Sequence, residues 1–90
     1  MRKDFKLVMN DLYDALRLLG YYPVTQDHAE WRRHEFHLFV RKKNKQEVAL
    51  SMHLDLPSAI PPFHRALQKS KSIEEEFNKI LEAYRRKRHG

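Results

Sequence analysis

Phe36-His37-Leu38-Phe39-Val40-Arg41 and Val48-Ala49-Leu50-Ser51-Met52-His53-Leu54 decide how this chain folds. Apolar and polar residues alternate in both stretches, the period of a strand with one face in a core and one in water. The pattern predicts strands over 31–41 and 47–56, with Phe36, Leu38, Val40, Val48, Leu50, Met52 and Leu54 facing inward. If the core faces match, paired numbers must sum to an even value, because a one-residue slip would bury the polar set. A sum of 88 leaves Lys43-Asn44-Lys45 as the hairpin loop and sets His37 opposite Ser51 and diagonal to His53; a sum of 86 remains open.

Outward from the hairpin, Phe5, Val8, Leu12, Leu16 and Leu19 recur at helical steps, and Gly20 stands where a left-handed stop is wanted. The spacing predicts a helix over 4–19. Tyr21 to Thr25 reads as a short edge strand, since Pro23 cannot donate to a ladder. Pro61 to Leu67 reads as a short helix. Ser72 and Glu75 form a capping box in front of a last helix whose buried stripe is Ile73, Phe77, Ile80, Leu81 and Tyr84. The expected fold is one α+β domain over residues 1–90, in the order α-β-β-β-α. Its three-stranded antiparallel sheet carries the helices on one face, and a basic tail at 85–90 frays.

Of 90 residues, 41% are hydrophobic, which is ordinary globular usage and excludes a wholly disordered chain. No apolar run is long enough to span a bilayer, and Met1 to Phe5 has no apolar signal segment, so a cytoplasmic protein without membrane contact is expected. The absence of cysteine excludes disulfides, thiol catalysis and Cys-ligated zinc. No pair of the six histidines has metal-site spacing, and neither metal nor cofactor is expected.

Lys and Arg number 18 against 12 Asp and Glu, a net charge of +6. The excess lies in Arg41-Lys42-Lys43-Asn44-Lys45 and in Arg85-Arg86-Lys87-Arg88, both suited to a phosphate backbone. Lys42, Lys43, Lys45, Arg85, Arg86 and Arg88 are therefore candidate nucleic-acid contacts. Arg33 and Arg41 join them on the polar face of the hairpin, where Phe39 stands out as a large aromatic able to stack on a base. His37 and His53 share that face and form a candidate general acid–base pair; the same residues also read as the wet side of a half-buried sheet.

Several residues carry a resemblance to the HicA toxin family of toxin–antitoxin systems. Leu16-Arg17-Leu18-Leu19-Gly20-Tyr21-Tyr22 is similar to that family's leucine-rich helix ending in Leu-Gly-Phe or Leu-Gly-Tyr. Phe36-His37-Leu38-Phe39 stands where the family has Gly-Ser-His followed by apolar and aromatic residues. Val48 to His53 resembles its valine-rich strand ending in Pro-x-His. The resemblance covers roughly residues 12–68. It implies a fold like that of double-stranded-RNA-binding domains and a ribonuclease with His37, or His34 in another alignment, as its catalytic residue.

Three functions follow as expectations. The first is a small basic module binding nucleic acid, RNA rather than DNA, by shape and phosphate contacts. The second is a protein-interaction or homodimerising adaptor. The third is a metal-independent ribonuclease of HicA type using His37 and His53.

Overall fold

The computed structural model describes residues 1–55 and 62–89, with side chains at 62 and 63 left aside. These residues form β1 (Arg2–Lys6), α1 (Met9–Leu19), β2 (Tyr22–Pro23), β3 (Glu30–Arg33), β4 (Phe36–Lys42), β5 (Glu47–Leu54) and α2 (Pro62–His89). The fold is α+β, as expected. Its sheet has five strands rather than three, in the order β1-β5-β4-β3-β2, with every pair antiparallel. Among the described residues no helix is long and apolar enough to cross a membrane. Leu56, the expected end of the strand over 47–56, and Pro61, the expected start of the short helix, lie outside the described residues.

The hairpin forms with the expected parity and a different register. Val40 pairs with Leu50 and Leu38 with Met52, a sum of 90 in place of 88 or 86. Asn44 accounts for the longer loop. Its Oδ1 accepts from the amides of Gln46 and Glu47, both at 2.8 Å, and its Nδ2 donates to Glu47 Oε1 at 3.2 Å. These local bonds close the loop over Lys43 to Gln46, and the Lys43 amide donates to Glu47 O at its base. Leu38, Val40, Val48, Leu50, Met52 and Leu54 are buried as predicted.

The expected helix over 4–19 divides. Residues 2–6 instead pair with β5, Arg2 opposite Ser51 and Phe5 opposite Val48. Phe5 begins both patterns, since it alternates with Leu7 as in a strand and stands one helical step from Val8, and the unpaired edge of β5 supplies backbone partners that a local pattern cannot reveal. The rest of the segment is α1, which buries Leu12, Ala15 and Leu16. It stops as predicted: Gly20 takes φ 98°, its amide donates to Arg17 O, and the Tyr21 amide donates to Leu16 O.

The expected single strand over 31–41 also divides. His34 and Glu35 make a two-residue turn between Arg33 and Phe36, with His34 at φ 53°. The β3–β4 pairs sum to an odd number, so core parity reverses: Trp31 faces inward opposite Leu38, and Arg33 follows it.

In place of a short helix and a second one capped at Ser72, α2 runs unbroken from Pro62 to His89. No Gly or Pro interrupts residues 64–72, so the capping-box residues sit inside a continuous helix. Ile73, Phe77, Ile80 and Tyr84 bury against α1 and the sheet in one core that also holds Trp31, Leu38 and Leu50. Residues Arg85 to Arg88 belong to this helix.

Candidate nucleic-acid interface

At one end of the sheet, the β4–β5 hairpin tip, the β1–α1 junction and the last turn of α2 enclose a groove of about 970 Å³. Lys6, Lys42, Lys45, Arg85, Arg88 and His89 line it, with Asn10, Gln46 and Tyr84, and among the described residues no carboxylate belongs to the lining. The two basic clusters of the sequence therefore meet in space. Tyr84 holds the two helices in position here, since its hydroxyl accepts from the Val8 amide at 2.9 Å. Arg88 bonds Asp11 Oδ2 at 2.8 Å and lies 5.9 Å from the Tyr84 ring.

The cations divide by partner. Among the described residues, Lys6, Lys42, Lys45 and Arg85 form no ion pair. Lys43 points away to Asp4 at 2.7 Å, a bond that holds the Asp4 carboxyl below its ordinary value. Arg86 pairs with Glu82 one turn back. Of the six tip and tail cations singled out in the sequence, four line the groove and Lys43 and Arg86 do not. Lys6 was not legible as part of it, since it sits in no basic run, whereas His89 belongs to the basic tail.

The helix-free face of the sheet is the second place where candidates gather. Strand register sets Tyr22, Arg32, His37 and His53 in one row across it, and Glu30, Phe39, Ser51 and Arg2 in the next. Toward the groove follow Arg41, Ala49 and Asp4. His37 lies directly opposite His53 rather than diagonal to it, a consequence of the register. The His37 Nε2 atom is 3.3 Å from Asp55 Oδ2. His53 is exposed and meets the Phe39 ring edge-on, 5.4 Å between centroids. A directly paired His–His with a carboxylate behind one ring can carry a proton to and from a bound ligand. Among the described residues, no group of three His, Asp or Glu stands close enough to hold a metal. Trp31 is buried on the other side of the sheet.

Arg33 is not part of this face. The reversed parity of β3 sends it under α2, where Nη1 bonds Glu76 Oε1 at 2.7 Å. Glu76 is buried and also accepts from the Tyr21 hydroxyl at 2.8 Å. Burial, and then the Glu76 carboxylate, push the Tyr21 phenol far above its ordinary value. Arg32, not singled out in the sequence, takes the place expected for Arg33 beside His37.

No family model, no curated protein and no solved structure matches this chain, and the resemblance to HicA toxins stands on the quoted residues alone.

Proposed function

We propose that this protein binds nucleic acid, RNA or a duplex read by shape, through phosphate contacts in the groove between the hairpin tip and the end of α2. The observation that carries the reading is the convergence of cations from four elements or their ends on a concave surface without a carboxylate in its lining. Among the described residues several of these cations have no ion pair of their own, so a polyanion replaces counterions rather than protein partners. Arginine and lysine in fixed positions along a groove suit successive phosphates, which specify shape and register rather than sequence.

Salt tests it. Affinity for an RNA hairpin should fall linearly on a log–log plot against salt concentration. Lys42→Ala, Lys45→Ala and Arg85→Ala should each lower the slope by about one unit. Lys43→Ala and Arg86→Ala should leave it nearly unchanged, because each already has a carboxylate partner. Equal slopes for all five variants and the parent would overturn the reading.

A second reading, ribonuclease chemistry, is favoured by the direct pairing of His37 with His53. One imidazole would take the proton of the 2′-hydroxyl and the other would protonate the leaving oxygen. It requires RNA cleavage that resists EDTA, has a bell-shaped pH profile and disappears in His37→Ala. RNA left intact by the purified protein would exclude it.

A further inference from the structure

We infer that the helix-free face of the sheet receives unpaired bases of the same nucleic acid whose phosphates lie in the groove. The inference rests on the groove reading and narrows its ligand to a single-stranded segment. Three observations combine.

The first is aromatic exposure. Leu38, Val40, Val48, Leu50, Met52 and Leu54 on the covered side of β4 and β5 are buried, yet Phe39 is 38% exposed and Tyr22 57% exposed. Both project from the helix-free face, and His53 extends the Phe39 surface through its edge contact. Strands lie ~4.8 Å apart and same-face residues are ~6.8 Å apart along a strand, which puts Tyr22 roughly 12 Å from Phe39. That separation suits bases splayed on two aromatic surfaces rather than one continuous stack. Aromatic faces accept any base, so the surface reads unpairedness more than sequence.

The second is charge. Arg41 follows Phe39 at the next same-face position of β4 and has no ion pair among the described residues. Arg32 reaches Glu30 only at 3.6 Å, and among the described residues its buried Nε has no hydrogen-bond partner. Guanidinium groups beside exposed rings complement a phosphate linked to a stacked base. The carboxylates of this face have cationic partners of their own: Asp4 bonds Lys43 at 2.7 Å and Arg2 at 3.4 Å, Glu30 lies 3.6 Å from Arg32, and Asp55 lies 3.3 Å from His37.

The third is continuity. Lys6 lines the groove and is also the end residue of β1 beside this face. A strand leaving the groove passes onto the sheet beside Asp4 and Glu47, whose carboxylates are held by Lys43 and by Asn44.

Binding of labelled ten-nucleotide single strands, in RNA and DNA arms, should be compared with the matching duplexes. The single strands should bind more tightly than the duplexes. Phe39→Ala should weaken single-strand binding roughly 5- to 100-fold, with Tyr22→Ala acting in the same direction. Neither substitution should change the salt slope, and Phe39→Tyr should restore affinity. A preference for the RNA or the DNA arm would identify the source of the strand. The inference is overturned if duplexes bind as well as single strands, or if Phe39→Ala leaves single-strand affinity unchanged. It is also overturned by a dimer that Phe39→Ala dissociates without loss of oligonucleotide binding. In each of those outcomes the groove variants still decide the groove reading separately, because Lys42→Ala and Arg85→Ala report through the salt slope alone.

Discussion

Arg32 and Arg33 are adjacent in β3 and live in opposite environments. Arg33 lies under α2 with its guanidinium on the buried Glu76 at 2.7 Å. Arg32 lies on the helix-free face, and its side chain is 43% exposed with Glu30 at 3.6 Å. The difference shows what a charge is for. Under the helix, the Arg33–Glu76–Tyr21 group joins β3, α2 and the end of α1, and each member satisfies polar atoms of the others. On the open face a charge holds little in place and is available to a ligand. Buried pairs cost several kcal/mol to break by removing one member, while exposed pairs contribute about 0–1 kcal/mol.

The comparison breaks most directly at Glu76. Glu76→Ala leaves the Arg33 guanidinium and the Tyr21 hydroxyl without their acceptor. It should cost about 3 kcal/mol, the lower end of the range for a broken buried pair, because Arg33 can still reach water at its edge. Tyr21→Phe is smaller, about 1.5–3 kcal/mol for a lost hydrogen bond to a charged group. The Tyr21 phenol also gives an alkaline signature. Its value in the fold is raised, so its contribution is fully present below the ordinary tyrosine range and is lost as pH rises above about 10. Tyr21→Phe should flatten that alkaline decline in the urea midpoint. Arg32→Ala is the smallest change, within about 0.5 kcal/mol, and is the reference against which the other two are measured. Equal losses at Arg32 and Glu76 would erase the distinction between the two faces.

Much of this was legible from residue spacing, and the failures have specific causes. Alternation in β4 and β5 told inside from outside correctly at every even position from 48 to 54. It could not supply the register, because sums of 86, 88 and 90 all keep the core faces together; the Asn44 side chain selects among them. Gly20 announced the end of α1. The start of α1 was misread, since Phe5 pairs with Leu7 at the strand period and with Val8 at the helical one, and only the distant edge of β5 decides between them. His34-Glu35 carries none of the Gly, Asn or Asp residues that usually mark a two-residue hairpin turn, so the reversal that hides Arg33 was silent. Both basic clusters were visible as runs. Their meeting in one groove was not, nor was the neutralisation of Lys43 and Arg86 by Asp4 and Glu82, because those contacts join segments far apart in the chain or depend on side-chain reach.

The pairing of β1 with β5 also has a kinetic side. The β3–β4 and β4–β5 hairpins join neighbouring segments through short turns and form by local search. Strand β1 meets a partner roughly half the chain away, so its ladder requires the largest loop to close and gains only after that closure. During synthesis β1 leaves the ribosome before its partner exists, and it must wait through the making of α1 and three further strands. Its alternating Arg2, Asp4 and Lys6 keep it hydrated in that interval. The same charges discourage it from pairing with a second unfinished chain, so the earliest strand made becomes the last one seated.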